Sequence, residues 1–598
     1  MRWNFRQSDP AQVEPLTEAL SSLPVFRKAQ GITRTIAALL VSRGIADGES
    51  AVRFLSPSLD HLHSPYLMTG MKSAVDRIEA AIERNEKILV YGDYDVDGTT
   101  AVVILKTAIE LCGGSADFHV PHRIREGYDL RGDVIERAAA GGIRLVISVD
   151  SGTRAFAAAE SARRAAVDLI ITDHHLPGPD GLPEAFAVVN PNQPGCGYPC
   201  KSLCGAGIAF KIAQALLAKR LSNREQSSLL LSFMKIAAIA TIADSVPLLD
   251  ENRVIASLGL SALRRAVNPG LKALLGVAQL GDRPLSSEEI AFRIAPRINA
   301  AGRMDIAGDV IDLFTVKDPA RAKDIAERLD RLNSERQEEE RRIVEAIERR
   351  LAEDGALRES YCVVIEGDGW HRGVIGITAT RVVERYGRPA IVISVDGDEA
   401  HGSGRSIPPF HLLNALESCS DLFTRYGGHS HAVGLSLPSG RIPDFRSRID
   451  NYARTRLTPA DLEPTLTIDA ELQLDFITPE LLEILGKLEP FGAGHHEPVF
   501  CSRSARLAAS PKILKEKHAR MRLNSSGAGA TGWRRALTYD AIGWRLGERV
   551  QREQMLPGDL LDVAFTVGHN DHAELGGIEL ALKDFRVTEK AGAKATGS

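Results

Sequence analysis

Three aspartates stand at every second position in the stretch GDYDVDG, at Asp93, Asp95 and Asp97. Carboxylates this close in a chain repel one another unless a cation lies among them. Carboxylate oxygen is a hard ligand of the kind that Ca²⁺, Mg²⁺ and Mn²⁺ prefer. The spacing therefore predicts a divalent-cation site.

Calcium is the first candidate, because the stretch fits the opening of an EF-hand loop, D-x-[DN]-x-[DN]-G. An EF-hand also needs a preceding helix and a bidentate Glu at the twelfth loop position, where this chain has Ile104. The preceding run KILVYG is short, apolar and β-rich, so it predicts a strand that ends just before the acids. A turn in which the acids bond only the backbone remains as an alternative.

Strand-like and helix-like runs alternate from residue 88 onward, beginning with ILVYG, TTAVVILKTAIELCG, FHVPH, DVIERAAAGG, LVISVD, AFAAAESARRAA and LIITDHH. This rhythm predicts a doubly wound parallel sheet, in which ligands bind at the carboxyl ends of the strands. Further polar residues stand at such ends, and Asp244 ends an apolar helical run, where an acid is costly unless it is paired or binds metal. The candidate constellation is Asp93, Asp95, Asp97, Asp150, His174, His175 and Asp244.

Mostly carboxylate ligands with one or two imidazoles suit Mn²⁺ or Mg²⁺ better than zinc held by thiolates. The acids exceed what one divalent ion needs, so a pair of ions with a shared carboxylate is the simplest arrangement. Such a pair activates a water and stabilises a leaving oxygen in phosphoryl displacement. The sequence therefore favours a metal-dependent phosphoesterase.

Composition sets the general class of protein. The chain has 598 residues, a net charge of −5 and seven cysteines, which is typical of a multidomain soluble protein with reduced thiols. No signal-peptide pattern opens the sequence, and the apolar stretch LLLSFMKIAAIATIAD contains Lys235, so we expect a buried helix, no membrane span and a cytoplasmic location. The mild acidity means that any nucleic acid would bind to local basic patches.

Three of the cysteines, Cys196, Cys200 and Cys204, are spaced at intervals of four in CGYPCKSLC. A structural zinc site wants four ligands, usually in paired clips, and Gly197 and Pro199 disfavour a shared helical face. Free thiols are the preferred interpretation, with a metal site as the alternative.

The pattern divides the chain into segments. Residues 1–50 form an N-terminal segment, 51–317 the first α/β domain, 318–356 a charged connecting helix, and 357–458 a smaller α/β domain. Period-two segments in 459–590 predict an OB-fold-like β-barrel, a fold that often binds nucleic acid. Residues 591–598 are expected to be disordered.

Several motifs carry a family resemblance. DYDVDGTTA, SVDSG, TDHH and ATIADSVPL resemble the four motifs of the DHH phosphoesterase superfamily. HRIREGYDL, LCGAGIAFK, APRINAAGRM, WHRGVIGI, GSGRSIP, GGHSHAVG and LEPFGAGHHEPVF, in this order, resemble the RecJ family of single-stranded-DNA-specific exonucleases along nearly the whole chain. The resemblance implies a DHH domain, a DHH-associated (DHHA1) domain and an OB-fold.

The resemblance also implies roles for individual residues. One Mn²⁺ or Mg²⁺ ion would be held by Asp93 or Asp95 with Asp150, and the other by Asp97, Asp150, His174 and Asp244. Asp150 would bridge the ions, and His175 would help to hold the scissile phosphate. The implied substrate-phosphate ligands are Arg123, Arg303, Ser403, Arg405, Ser406 and His429. The alternative for Arg303 and Arg405 is an ordinary interdomain ion pair.

The implied activity is removal of 5′-mononucleotides from the 5′ end of single-stranded DNA, in repair and recombination, beside a helicase and a single-strand-binding protein. In the barrel, we expect nucleic-acid contacts from Lys512, Lys515, Lys517 and Arg520, with Trp533, Arg534, Arg535 and Trp544 as interleaved groups. The alternative there is a solvated basic face with tryptophans in the core.

Two positions depart from the family pattern: Asp129 stands where Gly is usual, and His495 and His496 stand where Asn-Pro is typical. Two rival functions stay open. One is a DHH phosphoesterase acting on pyrophosphate, cyclic dinucleotides or short oligonucleotides. The other is a non-catalytic DNA-binding scaffold of replication, which the presence of every predicted metal ligand disfavours.

Overall fold

A computed structural model describes residues 1–123, 125–127, 129–281, 283–304, 307–525, 537–570 and 577–591. The chain forms two compact units. One is Leu59–Glu463, and the other joins Met1–Ser58 to Pro464–Ser598.

The N-terminal residues form one strand and three helices: β1 (Arg2–Phe5), α1 (Pro10–Ser21), α2 (Gln30–Val41) and α3 (Gly48–Leu55). Asp9 and Asp47 cap α1 and α3 by accepting backbone N–H bonds. β1 pairs in parallel with strand Thr465–Ile468. The N-terminal segment that the sequence sets apart therefore belongs to the same unit as the C-terminal residues.

A parallel sheet forms the centre of the larger unit. Its strands are β2 (Lys87–Tyr91), β3 (Ser115–His119), β4 (Leu145–Val149), β5 (Asp168–Thr172) and β6 (Ala187–Val189), and its helices are α4 (Met71–Glu83), α5 (Val96–Leu111), α6 (Gly132–Ala140) and α7 (Phe156–Arg164). The strand order is β3-β2-β4-β5-β6. The order reverses between β2 and β4, which creates a crevice at their carboxyl ends.

Successive residues of the strands face opposite layers of helices. Ile88 and Val90 belong to one apolar cluster, whereas Leu89 and Tyr91 belong to another. Because both faces are covered, the strands are almost continuously apolar, as in other doubly wound sheets. This explains why KILVYG is recognisable as a strand from sequence.

Helices follow the sheet: α8 (Gly205–Ala218), α9 (Asn223–Ala243), α10 (Asp250–Leu263), α11 (Pro269–Val277), α12 (Ser287–Glu289), a π-helical turn (Ile290–Ile294), α13 (Ala295–Met304) and α14 (Gly308–Thr315). Helix α9 is long and apolar enough to span a membrane by length and composition, and half of its most apolar window is buried. Phe233, Met234 and Ile239 of α9 lie in the same core as the sheet. α9 is a core helix of this unit, as its sequence predicts.

The predicted connecting helix is α15 (Pro319–Glu353), followed by the short α16 (Gly355–Arg358). Ile343, Ile347 and Leu351 bury one stripe of α15 against the second sheet. That domain contains β7 (Val363–Asp368), α17 (Ile375–Tyr386), β8 (Ala390–Asp396), β9 (Glu399–Arg405), α18 (Leu412–Glu417), β10 (Arg425–Gly428), β11 (Ala432–Pro438) and α19 (Ile442–Arg456). Its strand order is β10-β11-β9-β8-β7, in which only β7 and β8 are parallel.

The C-terminal residues form β12 (Thr465–Ile468), β13 (Ala470–Glu471), α20 (Pro479–Leu488), β14 (Phe500–Leu514), β15 (His518–Asn524), β16 (Thr538–Gly543), α21 (Gly547–Glu553), β17 (Leu560–Asn570) and β18 (Gly577–Glu589). Five of these strands close in the order β14-β15-β16-β18-β17, because β17 also pairs with β14. Short 3₁₀ turns occur at Leu59–His61, Pro65–Leu67, Ser420–Leu422, Ser439–Arg441, Pro459–Leu462 and Leu474–Phe476.

The predicted fold class is confirmed: a doubly wound parallel sheet, a long helix, a smaller α/β domain and a closed β-barrel. The exact domain boundaries stay a prediction. Trp533, Arg534, Arg535 and residues 592–598 of the predicted tail lie outside the described residues.

Candidate metal and phosphate site

The turn after β2 displays two of the acids and starts α5. Asp95 is the N-cap of α5, and its Oδ1 accepts the N–H of Gly98 at 3.0 Å. A Cβ on Gly98 would lie 2.6 Å from the backbone nitrogen of Asp93, so only glycine fits this close turn. The backbone-bonding alternative therefore holds for one oxygen of Asp95, while Asp93 Oδ1 is buried without a hydrogen-bond partner.

Asp97 is held by the N-terminus of α8. Its two carboxylate oxygens accept the N–H groups of Gly205, at 2.6 Å, and Ala206, at 2.8 Å. A helix N-terminus favours a negative charge, so α8 fixes this acid in place. A Cβ on Gly205 would lie 2.5 Å from the Cβ of Asp150. The glycine at position 205 therefore allows the N-terminus of α8, Asp97 and Asp150 to pack closely together.

Asp150 follows β4 in a left-handed backbone conformation with φ of 60°. Its N–H donates to the carbonyl of Thr172 at 2.9 Å, which ties it to the end of β5. Its Oδ1 lies 3.2 Å from His174 Nε2, yet it is buried and forms no hydrogen bond of good geometry. A non-glycine residue in this conformation is uncommon and is often found at functional sites.

Asp173 orients the two histidines. Its Oδ1 accepts the N–H of His174 at 2.8 Å and the Nδ1–H of His175 at 2.7 Å, and its Oδ2 accepts the N–H of Thr153 at 2.9 Å. Burial, which would lower the pKa of His175, is outweighed by Asp173, so that pKa rises to about 9. Burial opposes ionisation of Asp173 as well, but the bond from His175 keeps its pKa below the usual range.

Asparagines after β6 complete this support. Asn190 Nδ2 donates to Thr153 Oγ1 at 3.0 Å and to the carbonyl of His175 at 2.9 Å, and Asn192 Nδ2 donates to the carbonyl of His174 at 2.8 Å. Asp173, Asn190 and Asn192 are site residues that the sequence pattern did not predict. The available signal was the polar VVNPN stretch at the end of an apolar run.

The predicted acids and histidines converge. Their ligand atoms fall into three overlapping groups, each within 4.8 Å, made of Asp93, Asp95 and Asp150; of Asp97, His174 and Asp244; and of Asp150, His174 and His175. His174 Nε2 lies 3.8 Å from Asp97 Oδ2 and 3.9 Å from Asp244 Oδ2. The first two groups match the division between two ions that the family resemblance implies, although the ligand assignment itself stays a prediction.

Ionising these acids together is costly without a cation. Burial and then the neighbouring carboxylates raise the pKa values of Asp93, Asp95 and Asp150, and they raise that of Asp244 to about 8. Burial lowers the pKa of His174, which favours its neutral, metal-binding form. Buried carboxylate oxygens without hydrogen bonds, beside a neutral imidazole, fit divalent Mn²⁺ or Mg²⁺.

The cysteines form no comparable group in the described part of the chain. Cys196 Sγ accepts the N–H of Thr69 at 3.5 Å, and Cys204 Sγ faces Thr241 Oγ1 at 3.7 Å. The free-thiol interpretation is therefore preferred over a zinc site.

Arginines gather close to the acids. Arg303 is half-buried and donates to the carbonyl of Gly373 at 3.1 Å, and Arg405 donates to the carbonyl of Gly404 at 2.8 Å and approaches Ser403 Oγ at 3.3 Å. Burial, and then the fields of Arg123, Arg336 and Arg405, lower the pKa of Arg303 to about 9. Among the described residues, neither Arg303 nor Arg405 pairs with a carboxylate, so the ion-pair alternative receives no support. Half-buried guanidinium groups that lack a carboxylate partner fit an anionic ligand.

The other predicted phosphate ligands differ in their contacts. The Arg123 guanidinium carbon lies 4.9 Å from the centre of the Tyr94 ring. Burial lowers the pKa of His429, and the charges of His431, Arg405 and His175 lower it further. His429 therefore lies within the electrostatic range of the site residues Arg405 and His175. Ser406 uses its hydroxyl to bond the carbonyl of Phe410 at 2.7 Å. Its expected contact with phosphate stays a prediction.

The barrel presents its predicted basic residues unevenly. Lys512, Lys515 and Lys517 are exposed, whereas Arg520 pairs with Asp540 at 2.9 Å. Trp544 is 64% exposed and contacts His518 edge to face, at 4.7 Å between ring centres. Trp544 is therefore not a core residue, so the alternative fails for this tryptophan, while Trp533 lies outside the described residues.

His495 and His496, which depart from the family pattern, lie in the smaller unit. His495 is buried, with Nδ1 at 2.7 Å from Arg43 Nη1 and Nε2 at 2.8 Å from the carbonyl of Leu488. Because arginine can only donate, Nδ1 must accept and Nε2 must carry the proton. His495 is thus a structural residue.

Metal should stabilise the protein more at high pH than at low pH. The raised pKa values mean that the metal-free protein loses stability as pH rises from about 4 through about 8, where Asp244 ionises. Bound Mn²⁺ removes this loss. We expect the Mn²⁺-induced rise in the midpoint of thermal unfolding to be roughly 3 °C or more larger at pH 8.5 than at pH 6. Calorimetry measures the unfolding midpoint with and without Mn²⁺ at both pH values. A Mn²⁺-induced rise of equal size at the two pH values would contradict this prediction.

Three family models match the chain: the DHH family N-terminal domain at residues 87–241, the DHHA1 domain at 359–455 and the RecJ OB domain at 468–584. A relative from Bacillus subtilis, single-stranded-DNA-specific exonuclease RecJ, is 37% identical over 593 residues, which cover 98% of this chain and 71% of the relative.

Solved structures agree with this match. RecJ from Thermus thermophilus in complex with Mn²⁺ superposes with a TM-score of 0.80 at 28% identity, covering 98% of this chain and 80% of that one. The same protein in complex with Mg²⁺ superposes with a TM-score of 0.74 at 27% identity, covering 98% of this chain and 79% of that one. Mn²⁺ and Mg²⁺ are therefore the cofactors that the acid and histidine cluster is suited to hold. Sequence, domain order and fold together show that the chain belongs to the RecJ family of single-stranded-DNA-specific exonucleases, enzymes of the DHH phosphoesterase superfamily.

Proposed function

We propose that this protein degrades single-stranded DNA in the 5′-to-3′ direction and releases 5′-mononucleotides by two-metal hydrolysis. The observation that carries the proposal is a cluster of buried acids beside arginines that have no carboxylate partner among the described residues. The acids suit cations and the arginines suit phosphate, so a phosphodiester can be bound between the two.

Two groups of side chains would hold the ions. Asp93, Asp95 and Asp150 would form one site, and Asp97, His174 and Asp244 with Asp150 would form the other. Bound Mn²⁺ or Mg²⁺ supplies an activated water and stabilises the charge on the leaving oxygen. Asp97 is already fixed by two backbone N–H groups, so its orientation does not depend on the ion.

The arginines bind and orient the substrate. Burial and neighbouring arginines lower the pKa values of Arg303 and Arg405, so a terminal 5′ phosphate would supply a negative partner that both groups lack among the described residues. Ser403 offers a hydroxyl beside Arg405, and Arg123 and His429 border the same region. Anchoring the terminal phosphate would place the next phosphodiester over the acids, which sets the polarity of degradation.

His175 would hold the scissile phosphate. Asp173 engages Nδ1, so Nε2 is the nitrogen that would contact the phosphate, and the ring lies in the field of Asp244 and Asp97. Asn190 fixes the backbone carbonyl of the same residue. A ring that is bonded at Nδ1, on a backbone that is bonded at its carbonyl, is oriented before substrate binds, which reduces the cost of reaching the transition state.

Work in DNA repair and recombination, a cytoplasmic location, and cooperation with a helicase and a single-strand-binding protein remain predictions from the family resemblance. The rival of a short-substrate phosphoesterase is disfavoured by the closed barrel, since a dinucleotide needs no further domain. The non-catalytic scaffold is disfavoured because all six predicted metal ligands, together with His175, are present and converge.

Replacing Asp150 should abolish hydrolysis. Asp150→Ala removes the one carboxylate shared by two ligand groups, so we expect degradation of a 5′-phosphorylated single strand with Mn²⁺ to fall by at least about a thousandfold. Binding of the same strand should change little. Asp117→Ala, an exposed acid on β3, is the matched control and should keep full activity.

The same assay separates the rivals. A long 5′-phosphorylated strand, a duplex and a dinucleotide are compared, and products are sized from 5′- and 3′-labelled strands. Hydrolysis of the dinucleotide alone would favour the short-substrate phosphoesterase. DNA binding without cleavage under any divalent ion would favour the scaffold, and removal of nucleotides from the 3′ end would contradict the proposed polarity.

The barrel should contribute binding through Trp544. An exposed indole braced by His518, near exposed Lys515 and Lys517, is suited to stack a base. In the inactive Asp150→Ala background, Trp544→Ala should weaken binding of a single strand about tenfold by fluorescence anisotropy. Leu556→Ala, at another exposed apolar position, is the control. Equal affinities for the tryptophan variant and its parent would refute the role.

A further inference from the structure

Tyr94 stands between two of the metal-site acids, Asp93 and Asp95. It is half-buried, and the guanidinium of Arg123 lies over its ring, with the central carbon 4.9 Å from the ring centre. This distance is typical of a cation–π contact between arginine and tyrosine. The turn that carries the acids therefore contacts an arginine that the family resemblance assigns to substrate phosphate.

Helix α13 fixes the backbone of this turn. Gly302 of α13 packs so closely on Tyr94 that a Cβ at position 302 would lie 2.2 Å from the Tyr94 carbonyl oxygen. The Val96 N–H donates to Asn299 Oδ1 at 3.1 Å, which is a second contact from the same helix. The Tyr94 ring is therefore attached to a backbone that is already held by another element.

A ring face restrains an arginine differently from a carboxylate. Stacking leaves the N–H donors in the guanidinium plane free, whereas an ion pair engages some of them and opposes the charge. The Arg454 guanidinium has both contacts, with its carbon 4.6 Å from the Tyr361 ring centre and its Nε donating to Asp450 at 2.8 Å. Among the described residues, Arg123 forms no ion pair, so its donors remain available to an oxyanion.

The charge of Arg123 acts on both parts of the site. Burial and then the charge of Asp95 raise the pKa of Asp93, and the charge of Arg123 opposes that rise. Burial lowers the pKa of Arg303, and the charge of Arg123 lowers it further. A flexible arginine loses rotamer freedom when it binds phosphate, and a ring that restrains it beforehand reduces this cost. The stacked position of Arg123 is therefore suited to bind phosphate near the acids.

We propose that Tyr94 is a positioning residue whose ring holds the Arg123 guanidinium beside the metal ligands, with its N–H donors free for a phosphate of the DNA strand. The inference rests on the proposed exonuclease function, which supplies that phosphate. Tyr94 acts through Arg123, and the aromatic ring, not the hydroxyl, carries the effect.

Substitutions at position 94 test the role of the ring. Tyr94→Phe keeps the ring face, so its KM for a 5′-phosphorylated single strand should stay within about twofold of the wild type. Tyr94→Leu and Tyr94→Met remove the ring, and we expect each to raise KM about five- to tenfold, with kcat changed less than about twofold. Either of these two variants suffices for the test if the other does not fold.

Tyr361→Leu is the matched control, because it removes a stacked tyrosine and arginine pair outside the site. Its KM should equal that of the wild type. The Mn²⁺ concentration for half-maximal activity should be the same in Tyr94→Phe and Tyr94→Leu, since both keep Asp93 and Asp95. An equal rise in KM for Tyr361→Leu, or a weaker Mn²⁺ response that accounts for the rise in Tyr94→Leu, would overturn the inference.

A double-mutant cycle distinguishes action through Arg123 from a general structural effect. If the ring acts through this arginine, adding Tyr94→Leu to Arg123→Ala should raise KM no further. Independent addition of the two effects, an unchanged KM for the variants without a ring, or a loss in Tyr94→Phe equal to that in Tyr94→Leu would each contradict the positioning role.

Binding without turnover separates this inference from the proposed function. Affinity for a 5′-phosphorylated oligonucleotide is measured by fluorescence anisotropy for Tyr94→Phe and Tyr94→Leu, each in the Asp150→Ala background. A wild type that degrades no single-stranded DNA would contradict the proposed function, whereas weaker binding by Tyr94→Leu than by Tyr94→Phe would still support the positioning role. Equal affinities of the two variants would refute it.

Discussion

Repulsion among buried carboxylates is the constraint on which the rest of this structure depends. Asp93, Asp97 and Asp150 are almost inaccessible to solvent, and burial followed by the charges of the neighbouring carboxylates raises the pKa of Asp150. Such a cluster is tolerable when it is protonated or when cations neutralise it. Cation binding therefore stabilises the ionised form of the site. The ions that relieve the repulsion are also the ones suited to catalysis.

The fold meets this constraint with backbone groups. The reversal of strand order between β2 and β4 brings Asp93 and Asp150 to one crevice. The first two N–H groups of α8 hold Asp97, and the absence of a side chain at Gly205 makes room for Asp150. Asp173 then orients the histidines from behind. Each of these supports is a contact within the protein, so the ligand atoms are positioned without bound metal or DNA.

The sequence predicted what depends on local pattern. Apolar strands with two covered faces, the acids at their ends, Asp244 at the end of α9 and the long helix α15 all follow from periodicity, and the structure has them. Contacts between distant parts of the chain could not be predicted in this way. Pairing of β1 with β12 and the bonds from Asn190 depend on tertiary approach, which local spacing does not encode. The arginine cluster was reached through family resemblance, because no local rule brings Arg303 near Arg405.

The central claim is that the carboxylates form two adjacent metal sites. Anomalous diffraction from crystals of the full chain grown with Mn²⁺ tests it most directly, since it locates each ion independently of activity. We expect two manganese peaks, one among Asp93, Asp95 and Asp150 and one among Asp97, His174 and Asp244, with Asp150 contacting both. A single peak at saturating Mn²⁺, or peaks at other residues, would contradict it.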